Sequence, residues 1–143
     1  MSKTDELIRG LNKDLAEEYA AIIMYRTYAS TVQGPYRQEI RNFFASEIPD
    51  EINHAQLLAD KVAALGGAPT TEAGPVKSAS SIKEMLQNAL EAEQDTITRY
   101  VERRRQAEDA GEYGLAVEID TLIADESGHR DELKMMLERW GER

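Results

Sequence analysis

The sequence repeats itself at an offset of 75 positions, and the repeat includes both of its histidines. His54 and His129 each end a five-residue segment that begins Asp-Glu, at 50–54 and 125–129. The same offset relates two further pairs, Glu18 with Glu93 and Tyr25 with Tyr100. This duplication predicts two structurally equivalent halves of about the same length.

Apolar residues recur at spacings of three and four along four segments, which predicts four amphipathic helices and no strands. We expect the helices at about 5–33, 36–65, 82–110 and 112–140, the last of which includes Trp140 in its apolar stripe. Glycines at positions 34, 66 and 111 end the first three. Ser81 followed by Glu84 is a capping-box pattern at the start of the third helix.

The connection from Gly66 to Ser80 is rich in Gly, Pro, Thr, Ala and Ser. About 15 extended residues reach about 50 Å, whereas a helix of about 28 residues is about 42 Å long. This connection can therefore cross the full length of a bundle and make the second and third helices parallel. The other two turns are short and require antiparallel neighbours. The prediction is an all-α four-helix bundle with one long crossover, forming a single domain over residues 1–143.

Composition narrows the chemistry and the partners. The absence of Cys excludes disulfides, thiol catalysis and iron–sulfur or Cys-ligated zinc sites. A formal net charge of -10 favours cations and argues against nucleic acid and anionic membranes as partners. Neither an apolar run of about 20 residues nor a secretory signal is visible, so we expect no membrane span and a cytoplasmic location.

The repeated Glu-x-x-His pattern predicts a metal centre. Residues three apart share a helix face, so each pair offers one oxygen and one nitrogen to the same point. Counted from the short turns, these pairs and one further glutamate per half reach the same level of the bundle. Four carboxylates and two imidazoles suit two divalent ions of the iron or manganese type. The six predicted ligands are Glu18, Glu51, His54, Glu93, Glu126 and His129.

Further polar residues surround these ligands. Asp50 and Asp125 are placed to accept the second ring N–H of a histidine on another helix. Tyr25 and Tyr100 could hydrogen-bond a ligand carboxylate or deliver an electron, and the alternative is an ordinary core tyrosine. Glu47 is either part of an ion path or a solvated or salt-bridged glutamate. Pro49 predicts a kink or bulge just before Glu51.

These motifs resemble the ferritin-like di-iron carboxylate superfamily, and bacterioferritin in particular, from about Asp5 to Trp140. The resemblance implies a ferroxidase centre that binds two iron ions per chain, with manganese or zinc as alternatives, and reacts Fe(II) with O2 or H2O2. It implies that Glu51 and Glu126 bridge the two ions. It further implies one terminal pair per ion, Glu18 with His54 and Glu93 with His129.

The sequence also departs from that family. Ile52 stands where bacterioferritins have the haem-ligand methionine, so haem binding is not expected. Ser46 replaces a histidine associated with iron on the inner surface, and the family continues into a fifth helix beyond the position of Arg143. The resemblance implies a homo-oligomer, at least a dimer, and leaves dimer and cage open.

Two other functions remain open at this stage. A peroxidase or oxidase resembling rubrerythrin shares the bundle and many ligands, but that family adds a second glutamate on the third helix where this sequence has Thr96, and a Cys-rich domain. A non-catalytic helical interaction module with a purely structural polar core is the third hypothesis.

Overall fold

The computed structural model describes residues 1–140 and consists of four long helices. They are α1 (Lys3–Thr31), α2 (Arg37–Ala64), α3 (Ile82–Asp109) and α4 (Tyr113–Leu137). The described residues contain no strand, so the all-α prediction is confirmed. None of these helices combines the length and the apolar character that crossing a membrane requires. Arg143, which the sequence analysis named, lies outside the described residues.

The end of α4 differs from the prediction. The helix ends at Leu137, and Arg139 then adopts a left-handed backbone conformation with φ of 57°. Trp140 is 43% exposed and does not extend the apolar stripe of α4. The prediction of helix to residue 140 was therefore wrong by about one turn, because periodicity alone cannot show where the chain leaves the core.

Side-chain caps begin two of the helices. At α3 the hydroxyl of Ser81 accepts a hydrogen bond from the backbone N–H of Glu84 at 3.1 Å. The Glu84 carboxylate accepts from Ser80 at 3.2 Å, so the capping box predicted there forms only in part. A complete capping box instead starts α1, where Ser2 and Asp5 satisfy each other's backbone N–H groups.

The crossover runs along α1 for much of its length. Asn12 donates to the carbonyl of Ala68 at 3.0 Å, and Tyr28, over four turns further along α1, donates to the carbonyl of Lys77 at 2.6 Å. Between them the Gly74 N–H donates to the Ala16 carbonyl at 2.9 Å. The chain thus returns to the starting level of α2 before α3 begins, which makes α2 and α3 parallel as predicted. Neighbours α1 and α2, α3 and α4, and α1 and α3 are antiparallel.

Pro49 lies within α2, which continues through it without a break or a π-helical turn. The predicted bulge before Glu51 is therefore absent, and a bend of the helix axis stays a prediction. Proline lacks an N–H, so one backbone hydrogen bond of α2 is missing at this point.

The apolar core is divided into two clusters along the bundle. One contains Leu11, Leu58 and Tyr100, and the other contains Tyr25, Phe44 and Leu133. The level between them holds buried glutamates and a histidine, which interrupt the apolar packing. The fold therefore concentrates its buried charge in one layer near mid-bundle.

A buried ion pair joins α1 to α3 one turn below this layer. Arg103 donates to both oxygens of Asp14, at 2.7 and 3.2 Å, and both side chains are more than nine-tenths buried. Burial raises the pKa of Asp14, and the hydrogen bond and charge of Arg103 oppose that rise. The guanidinium occupies the space beside Gly10, so any Cβ at position 10 would overlap it.

We expect Gly10→Ala to lower the free energy of unfolding by about 3 kcal/mol, because displacing Arg103 leaves the buried Asp14 carboxylate without both of its hydrogen bonds from Arg103. The matched control is Gly114→Ala in α4, where a Cβ meets nothing within 4 Å. It should stay within about 1 kcal/mol of wild type or be more stable. Urea unfolding followed by helical circular dichroism measures both, and equal midpoints for the two variants would contradict the prediction.

Candidate metal centre

The four helices bring all six predicted ligands to one level of the bundle. α1 supplies Glu18, α3 supplies Glu93, and α2 and α4 each supply a glutamate and a histidine three residues apart. The spacing of three keeps each glutamate and histidine on one helix face. Five of the six are buried, and the His129 side chain is 12% exposed.

Their ligand atoms form two overlapping groups of four. In each group one donor atom per residue lies within 4.8 Å of all the others. Glu51 and Glu126 belong to both groups. The first group adds Glu18 and His54, and the second adds Glu93 and His129. Each group can therefore surround one cation with three carboxylates and one imidazole, with two carboxylates shared between neighbouring positions.

Each of these six residues has one buried atom that makes no hydrogen bond within the protein. The atoms are Glu18 Oε2, Glu51 Oε1, His54 Nδ1, Glu93 Oε2, Glu126 Oε1 and His129 Nδ1. Buried polar atoms without partners are rare because each costs about 1–3 kcal/mol, and more when the group is charged. Nitrogen and carboxylate oxygen are also the donors that iron, manganese and zinc accept. The residues present thus fit a pair of bound cations.

The helices form two hairpins, α1 with α2 and α3 with α4, and each histidine is oriented by an aspartate of the other hairpin. His54 Nε2 lies 3.0 Å from Asp125 Oδ2, and His129 Nε2 lies 3.0 Å from Asp50 Oδ2. Each aspartate can accept a hydrogen bond from a protonated Nε2, while Nδ1 of the same ring faces the carboxylates of the layer. Nδ1 of His54 lies 2.9 Å from Glu126 Oε1, a close contact that does not have hydrogen-bond geometry. The structure thus places both aspartates where the sequence analysis expected them.

The two tyrosines also connect the hairpins. Tyr25 on α1 donates its hydroxyl to Glu93, and Tyr100 on α3 donates to Glu18. Burial, followed by nearby glutamates, raises the pKa of both phenols well above its usual range, so both stay protonated donors. Their hydrogen bonds hold one oxygen each of Glu93 and Glu18, and the other oxygen of each is a buried atom without a hydrogen bond.

Glu47 breaks the symmetry of the centre. Its Oε2 lies 2.8 Å from His129 Nε2, and the residue is 8% exposed, so it is not a solvated glutamate. The equivalent position 75 residues later is Leu122, which belongs to the apolar core. His129 therefore has two carboxylates behind its ring, Glu47 and Asp50, whereas His54 has only Asp125 among the described residues.

Without a bound cation, the negative charge of the buried carboxylates in this layer is only partly neutralised. Burial, and next the charge of Glu18, raise the pKa of Glu51 well above its usual value. Burial also disfavours the charge of Glu126, but the adjacent imidazoles of His129 and His54 lower its pKa overall. Burial lowers the pKa of His54, and contacts with Glu126 and Glu18 outweigh that and raise it to about 10. Protons thus partly replace the positive charge that these carboxylates require.

Other positions singled out in the sequence lie away from this layer or beside it. Ile52 is 48% exposed on α2, and Ser46 is exposed, with its hydroxyl donating to the carbonyl of Phe43 at 2.6 Å. Thr96 accepts a hydrogen bond from Arg99 at 2.9 Å, and both residues line a cleft that reaches the glutamates. Arg99 was not predicted from the sequence, because no spacing pattern distinguishes it from the other arginines of α3.

Comparison with known proteins agrees with this fold. The family model for the ferritin-like domain matches residues 8–141. A crystal structure of ferritin like, diiron-carboxylate proteins from Bacillus anthracis str. Ames superposes with a TM-score of 0.94 at 49% identity, over 96% of this chain and 99% of that chain. A Dps structure from Thermosynechococcus elongatus has a TM-score of 0.91 at 20% identity, over 97% and 94%, and shares the fold alone.

Curated relatives extend over nearly the whole chain. The bacterioferritin of Brucella melitensis is 27% identical over 139 residues, which are 96% of this chain and 86% of that protein. The bacterioferritin of Streptomyces coelicolor is 28% identical over 142 residues, covering 96% and 83%. With a family match that spans most of its residues and four helices in the predicted order, this chain belongs to the ferritin-like domain family.

Proposed function

We propose that this protein is a di-iron ferroxidase that oxidises Fe(II) with O2 or H2O2 in bacterioferritin-like iron storage or detoxification. The observation that carries the proposal is the set of six buried atoms without hydrogen bonds, one on each predicted ligand. Fe(II) is the substrate, and the six side chains are the residues that would bind two ions per chain. Two Fe(II) ions held by these residues would become two Fe(III) and give two electrons to one oxidant molecule, which with two protons reduces O2 to H2O2 or H2O2 to two waters.

The protein's own groups fit this role in three ways. The donor set contains no thiolate and combines carboxylates with imidazoles, which suits iron and also manganese or zinc. The terminal glutamates are held by tyrosine hydroxyls, and the histidines by aspartates. The net charge of -10 attracts cations to the surface. Assembly of at least two copies, a cytoplasmic location and the absence of haem belong to the same proposal.

The first test is anaerobic Fe(II) titration followed by mixing with O2 or H2O2. Binding should saturate at two Fe(II) per chain, and a rapid rise in ferric absorbance should follow in stopped flow. Faster reaction with H2O2 and no mineral product would favour a peroxidase instead, and light scattering reports whether mineral and a cage form. If the chain binds no metal, the hypothesis that remains is a non-catalytic interaction module with a purely structural polar core.

Glu51→Gln should make the metal-free protein more stable at neutral pH and abolish stabilisation by metal. The raised pKa of Glu51 means that the folded state binds a proton more tightly than the unfolded state. Its destabilising contribution therefore grows as pH rises above the usual glutamate range, and the neutral amide removes it. The benefit should vanish at a pH low enough to protonate Glu51 in both states.

Thermal unfolding with and without Co(II), at low and neutral pH, measures this effect. Glu132→Gln, an exposed position on α4, is the matched control and should leave both the metal-free stability and the metal response unchanged. A metal-free Glu51→Gln protein less stable than wild type would show that the carboxylate layer is not strained.

The asymmetry at Glu47 gives a further prediction. Asp125→Asn should weaken metal binding by about 10–100-fold, because Asp125 is the aspartate that orients His54. Asp50→Asn should have a smaller effect, since the Glu47 carboxylate lies 2.8 Å from the same ring nitrogen and can accept its proton in place of Asp50. Competition titration with a metal indicator measures both affinities, and Glu47→Leu combined with Asp50→Asn should remove the difference. Equal losses in the two single variants would contradict the assigned role of Glu47.

A further inference from the structure

A cleft of about 320 Å³ opens on the face formed by α1, α3 and the crossover, and it reaches the proposed metal centre. Its floor is formed by three of the carboxylates, Glu51, Glu93 and Glu126. This volume lies within the range of small-molecule pockets, about 300–1,000 Å³. The cleft is thus far larger than O2 or H2O2 requires.

Part of its wall is small and apolar. The apolar lining residues are Ala20, Ala21 and Met24 of α1, Ala92 of α3 and Val76 of the crossover. The alanine side chains are too small to fill the space between α1 and α3. Such walls favour a ligand with an apolar body.

Among the described residues that line this cleft, Arg99 forms no ion pair with any of the others. Its buried Nε lies 3.4 Å from Asp14, which is outside the lining and also accepts two hydrogen bonds from Arg103. The guanidinium is held in place by its hydrogen bond to Thr96. The lysine at the mouth differs, because Lys77 pairs with Glu91 at 2.7 Å. Arg99 is therefore the group best placed to receive an anion.

The charge of the floor changes with its metals. Four glutamates carry four negative charges, and two divalent ions offset them, so the loaded floor no longer repels an anion. Arg99 then adds positive charge at the wall. Glu17 at the mouth is paired with Lys13 at 2.8 Å, and Asp95 lines the same cleft.

We infer that the cleft binds a small organic carboxylate, with its anionic group between Arg99 and the floor and its apolar body against Ala20 and Ala92. This inference rests on the proposed metal centre and adds to it a ligand beyond iron and its oxidant. The acid would cover the glutamate floor, so occupancy of the cleft controls which molecules reach the centre from this face.

Benzoate is the probe, and Co(II)-loaded protein avoids redox turnover. Calorimetry should show one benzoate per chain, bound at least tenfold more tightly than the neutral analogue benzyl alcohol. Arg99→Gln and Ala92→Leu should each weaken benzoate at least tenfold, the first by removing the donor and the second by filling the cleft. The controls are Arg105→Gln and Ala45→Leu, which change exposed positions of α3 and α2 and should leave benzoate affinity unchanged.

Asp95→Asn tests the sign of the charge. Removing this carboxylate should tighten benzoate binding if the cleft receives anions. Slower Co(II) loading with unchanged benzoate affinity would instead identify the cleft as an entry route for cations and overturn the inference. Co(II) stoichiometry is measured first in every variant. Failure to bind Co(II) counts against the proposed function, while normal loading without benzoate binding, or binding insensitive to Arg99→Gln, overturns the inference alone.

Discussion

The main constraint on this structure is the repulsion among four carboxylates, one from each helix, that are buried at one level of the bundle. Glu18, Glu51, Glu93 and Glu126 are all at most 3% exposed, and each keeps one oxygen without a hydrogen bond. A fold can retain such a layer only if the apolar packing on both sides compensates for it. The two core clusters above and below the layer supply that packing. Positive charge, from protons or metals, then determines how stable the whole bundle is.

Much of this arrangement could be predicted from the sequence. Glu-x-x-His fixes two ligands on one helix face whatever their surroundings, and the offset of 75 residues repeats that face in the other hairpin. The length of the connection after Gly66 determined the direction of α3, because a shorter chain could not cross the bundle. These features depend on helix geometry alone, which is regular enough to be read from spacing.

Features that depend on contacts between distant residues could not be predicted in the same way. The pairing of Glu47 with His129, the placement of Arg99 beside Thr96 and the overlap of Gly10 with Arg103 all depend on side-chain directions in the packed bundle. The end of α4 before Trp140 is a further example, since periodicity continues past the point where the helix stops. Spacing identifies which residues share a helix face but not which partner they meet across a gap.

The hydrogen bonds from Tyr25 to Glu93 and from Tyr100 to Glu18, with those between each histidine and the opposite aspartate, all cross from one hairpin to the other. Neither hairpin can orient its own ligands without its counterpart. The arrangement of these side chains therefore depends on how the two hairpins are docked, because a slide of one helical turn would break all four hydrogen bonds together. A protein in which the hairpins slipped could keep its helices and most of its apolar burial, and yet lose the ordered ligand set entirely.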